Sequence, residues 1–157
     1  MNLVSGSSYV EAVGNSEENP YLFRATERFL FKYGLKSLSP IKDMIGSQST
    51  KGIHVLSKFV RIRRQCGVWI DDDGILTAIE GYPSACKGSK MIEELSDHYH
   101  EADHEDKNDA VICALLVYLF VEKRAMLVSP GDSVPISEGW IWVPKDKLDK
   151  QINRSIL

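Results

Sequence analysis

Hydrophobic positions follow two rhythms along this chain, one recurring at every third or fourth residue and one at every second. The first marks amphipathic helices and the second half-buried strands. Tyr9 to Val13 reads as a short opening strand, and Gly14 to Pro20 as a loop by composition. A helix is expected from about Tyr21 to Tyr33, packing through Leu22, Phe23, Leu30 and Phe31 and stopped by Gly34. Leu38 to Thr50 has no clear period. Thr50 is the expected cap of a second helix, Ile53 to Gln65, ended by Gly67. Its apolar stripe is Ile53, Leu56, Phe59, Val60 and Ile62, and its other face is basic, with Lys58, Arg61, Arg63 and Arg64.

The second half alternates shorter elements. Val68 to Asp71 and Ile75 to Glu80 read as paired strands around the turn Asp71-Asp72-Asp73-Gly74. A short turn or helix follows Pro83, and Ser89 caps a helix from about Lys90 to His98 or His100 with Met91, Ile92 and Leu95 inward. An acidic, exposed stretch then leads into the most apolar helix, about Lys107 to Lys123. That helix is hydrophobic nearly all round, which predicts burial on more than one side, with Cys113 in the core. Ala125 to Val128 and Gly139 to Val143 read as strands, and Pro144 opens an amphipathic end with Leu148 and Ile152. Interleaved helices and strands predict an α/β layered domain, here a single domain over residues 1–157.

Composition narrows the function. The chain has 157 residues with a hydrophobic fraction of 43% and a net charge of -3, which fits a globular protein with a real core. A slightly acidic chain does not coat nucleic acid by bulk charge, although a local basic groove is compatible with it. Three widely spaced cysteines without a CxxC pair point to reduced thiols rather than disulfides or a zinc ribbon. The start has no basic segment followed by an apolar run, and the longest apolar run falls short of the ~20 residues that span a bilayer. The expectation is a cytoplasmic protein with no membrane contact.

Two acids stand where chemistry is often found. Glu80 closes an apolar strand in Ile79-Glu80-Gly81-Tyr82-Pro83, and Asp109 opens the apolar helix. Hard oxygen ligands from two such elements can meet on a divalent cation. Each also has a plainer reading: Glu80 as an acid beside a turn, Asp109 as a first-turn acid favoured by the helix dipole. Asp106 lies three residues before Asp109 and shares its helix face. Glu11 sits within the first strand and needs a partner or ion if that strand is interior. His100 and His104 are four apart, but they lie in a polar stretch without HExxH, so a solvated loop accounts for them better than zinc. There is no Walker A loop, GxGxxG or GxSxG.

Several short segments, in order, resemble a family of uncharacterised proteins described as predicted nucleases with a ribonuclease H-like fold. They are Tyr9-Val10-Glu11-Ala12, Arg24-Ala25-Thr26-Glu27-Arg28, Thr50-Lys51-Gly52, Glu80-Gly81-Tyr82-Pro83, Asp109-Ala110 and Glu138-Gly139-Trp140-Ile141-Trp142-Val143-Pro144. The resemblance implies a mixed sheet flanked by helices, with Glu11, Glu80 and Asp109 as catalytic metal ligands and Asp106 beside them. It makes Arg24, Glu27 and Glu138 secondary site positions, magnesium or manganese the cofactor, and nucleic acid the substrate class. The implied chemistry is phosphodiester hydrolysis by a metal-activated water. One departure stands out: the first strand of such folds, with its central Asp, has no counterpart, so the expected fold is N-terminally truncated. That leaves a second expectation open, a non-catalytic binding or assembly module. The shortened sheet would pair through its exposed edge with a second copy or a partner chain.

Overall fold

Two glycine reversals build the sheet of this protein. The computed structural model describes residues 19–20, 22–35, 46–97, 99 and 103–148, with backbone alone for 46–50 and 62–64. The chain divides into two compact units, Met1–Phe59 and Val60–Leu157, where the sequence pattern reads as one domain. Glu11 and its expected strand, His98, His100 and Ile152 lie outside the described residues.

In the second unit, β1 (Ile62–Gln65), β2 (Val68–Ile70), β3 (Thr77–Gly81) and β4 (Ile141–Trp142) form one sheet in the order β1-β2-β3-β4. The first three run antiparallel and β4 runs parallel to β3, so the sheet is mixed. Cys66 and Gly67 turn β1 into β2. Gly67 has φ 71, and a Cβ there would lie 2.4 Å from Trp140 Cβ, so both conformation and space require glycine. The Asp71–Gly74 turn forms as the sequence predicts, with Asp71 Oδ1 accepting the Leu76 N–H at 2.8 Å.

Two helices of this unit, α3 (Pro83–Cys86) and α4 (Lys90–Leu95), connect β3 to the long α5 (Glu105–Glu122). Pro83 supplies the fixed φ favoured in a first turn. Ser89 caps α4 as expected, its Oγ accepting the Ile92 N–H at 3.3 Å. His104 caps α5 by accepting the Asp106 N–H at 3.2 Å. Leu116 and Leu119 of α5 are buried, and Phe120 meets Trp142 of β4 edge to face at 5.0 Å. The two buried indoles donate to backbone carbonyls, Trp140 to Val128 at 2.9 Å and Trp142 to Gly67 at 3.0 Å.

In the first unit, α1 (Ala25–Lys32) is shorter than the expected Tyr21–Tyr33. Arg24 is extended at its start and Gly34 (φ 67) turns the chain at its end. Phe23 and Phe31 meet edge to face at 4.8 Å beside buried Leu30. The next helix, α2 (Gly46–Phe59), begins before Thr50 and stops well before Gln65.

Four expectations are therefore corrected. Ile62–Gln65 is strand β1, because Gly67 serves a hairpin turn rather than a helix end; the basic residues do not share one helical face. Ile53 and Phe59, expected to pack, are 68% and 60% exposed. On α5 one face is open, with Val117, Tyr118 and Val121 exposed and Cys113 exposed as well. The helix lies on one side of the sheet, so its hydrophobic circumference exceeds what the sheet covers. Ala125 to Val128 forms a 3-10 turn, Arg124–Met126, followed by an isolated bridge from Leu127 to Pro144. Among the described residues no helix is long and apolar enough to cross a membrane.

Candidate functional site

The helix start that carries Asp109 is held by a lysine. Gly88 (φ 74) turns the chain between α3 and α4, and Lys87 just before it reaches α5. Lys87 Nζ lies 2.7 Å from Glu105 Oε1 and 3.0 Å from Asp109 Oδ1. The ammonium thus bridges the two carboxylates, and Asp109 Oδ1 is itself shielded from water. Glu105 first, and then Asp109, raise the Lys87 pKa above its ordinary value by stabilising the ammonium. Asp106, on the same turn, is largely exposed, with one oxygen 3.6 Å from His104 Nδ1.

Glu80 has a different setting. It pairs with Ile141 across the parallel β3–β4 ladder, while the next pair is Gly81 with Trp142. A Cβ on Gly81 would lie 3.1 Å from Leu116 Cδ1, and Trp142 meets Phe120 edge to face, so this pair faces α5. Alternation along the strand sets Glu80 and Ile141 on the other face of the sheet. The described geometry thus gathers Glu105 and Asp109 around Lys87 and does not bring Glu80 to them. Among the described residues no three His, Cys, Asp or Glu side chains form a group able to hold a metal ion.

Arg24, Glu27 and Glu138 are the remaining expected positions. Arg24 and Glu27 belong to the first unit. Glu27 is fully buried, its Oε2 accepting the Arg24 backbone N–H and its Oε1 accepting from the Arg24 guanidinium. This satisfies a buried carboxylate and closes the start of α1. Glu138 lies in the turn before β4, its N–H donating to Pro135 O at 3.0 Å.

Sequence reasoning missed the two residues that organise this region. Lys87 had no local signal, because its partners lie 18 residues or more away. Asp146 likewise accepts from Ser89 Oγ at 2.8 Å and from the Met91 N–H at 3.3 Å, tying the start of α4 to the end of the described chain. Burial, aided by the neighbouring Cys113 sulfur and Asp146, pushes the Cys86 thiol up to about 12. An open cleft of about 820 Å³ lies between α4 and α5, lined by Ile92, Tyr99, His104 and Asn108 among others. Comparison with family models, curated proteins and solved structures gave no match. The fold and site together define a mixed α/β protein with a lysine-bridged acidic helix start.

Proposed function

We propose that this chain is a ribonuclease H-like domain that works as a non-catalytic assembly module. The observation that carries the reading is the Lys87 ammonium between Glu105 and Asp109. A cation already built into the chain neutralises the acid that the resemblance assigns to magnesium or manganese. The surface left for a partner is the open apolar face of α5, since contiguous exposed apolar area marks contact sites.

The test is cleavage of single- and double-stranded DNA and RNA with magnesium or manganese. No cleavage above a metal-free control is expected. Metal-dependent cleavage abolished by Glu80→Gln and by Asp109→Asn would defeat this reading.

A nuclease reading has one observation in its favour. Asp109 Oδ1 is shielded from water and its close neighbour is a cation, the Lys87 ammonium 3.0 Å away, a position that also suits a hard metal ion. The same assay separates the two readings.

A further inference from the structure

The outer face of α5 carries Ala110, Cys113, Ala114, Val117, Tyr118 and Val121, all exposed. Spacings of three and four place them on one helical stripe. The stripe is graded in size, small in its first half and large in its second. The charges around it are graded in sign. Lys107, which also lies 2.6 Å from Asp103, flanks the stripe at one end, and Glu122 flanks it at the other, both exposed.

We propose that α5 packs against α5 of a second copy, antiparallel, about a twofold axis between Ala114 and Leu115. This rests on the assembly reading and names its partner. Antiparallel pairing sets Lys107, on one flank of the stripe, level with the partner's Glu122 on the same flank. It also sets the small half of each stripe against the large half of the other, so that Tyr118 and Val121 fill space left by Ala110 and Ala114. Parallel pairing would oppose like charges and set large residues against large. The complementarity lies within one helix, each end matching the other end of the same sequence. A self-complementary patch is what a twofold interface requires.

Cysteine cross-linking of the full-length protein tests the geometry, in a Cys113→Ser background. An antiparallel pair leaves the two copies of residue 114 offset by about 1.5 Å along the axis, and those of residue 110 by about 13 Å. Ala114→Cys should therefore form a disulfide-linked dimer on mild oxidation, and Ala110→Cys should not. In light scattering the unmodified chain should be a dimer. Val117→Lys with Val121→Lys should weaken it by more than about tenfold, with an unchanged circular dichroism spectrum, because both positions are exposed. A dimer that survives this double change, or that cross-links through residue 110, overturns the α5 inference and leaves the assembly reading standing. A monomer at every concentration overturns the inference, and metal-dependent cleavage overturns the assembly reading separately.

Discussion

Single side chains here act through partners far away in sequence. The Lys87 pKa is raised in the folded state, so its stabilising effect is complete at neutral pH. It fades as pH rises past the ordinary lysine value near ~10.4 and through the folded one. Thermal melts between neutral and strongly alkaline pH should show a shallower alkaline loss for Lys87→Met than for the parent chain. Ser89 is fully buried and serves both its own helix and Asp146. Ser89→Ala should lower stability by about 1–2 kcal/mol in urea unfolding, by loss of the cap and of one buried hydrogen bond. The thiols should separate in the same way. Cys86, buried with its pKa near 12, and buried Cys66 should resist a thiol reagent at pH 8. Exposed Cys113 should react, more slowly than a free thiol because its pKa is also raised.

Turns and caps are where sequence and structure agree most closely at the level of elements. Asp71 to Gly74, Gly34, Pro83 and Ser89 each act through contacts within a few residues, so their chemistry is visible in a short window. Gly67 shows the limit of such windows. It marks a reversal correctly, but whether a helix or a strand precedes it depends on β2, on the Trp142 indole and on the backbone of Trp140. Tertiary pairing thus overrode the helical period only where it ran on past Phe59 into Ile62–Gln65. Of the expected site, the pattern gave acids at a strand end and a helix start, but not the sheet face of Glu80 or the lysine on Asp109. Gly67→Ala and Gly74→Ala should separate the two kinds of turn. Both glycines have φ 71, but only Gly67 faces a neighbour closer than 3.0 Å. Urea unfolding should show a loss of about 3 kcal/mol for the first, from overlap and strain together, and about 1 kcal/mol for the second, from strain alone.

At the scale of the whole molecule, the reversed charges at the ends of α5 make a prediction that needs no cysteine. Lys107→Glu should weaken the dimer by about two- to fivefold, as exposed ion pairs do, and Glu122→Lys in the same chain should restore it. Sedimentation at low and high salt should show the effect shrinking as salt rises. A different consequence follows from the way β4 is held. Its two residues make a very short ladder, and its position depends on clasps at either side. Trp140 Nε1 holds Val128 O, Trp142 Nε1 holds Gly67 O, and Cys66 Sγ donates to Gly139 O at 3.2 Å. The stretch from Ser129 to Glu138 hangs between those clasps and is mostly exposed. It can therefore change length while both of its ends stay pinned, which makes it the natural place to graft an epitope or a fluorescent-label peptide without disturbing the tryptophan core.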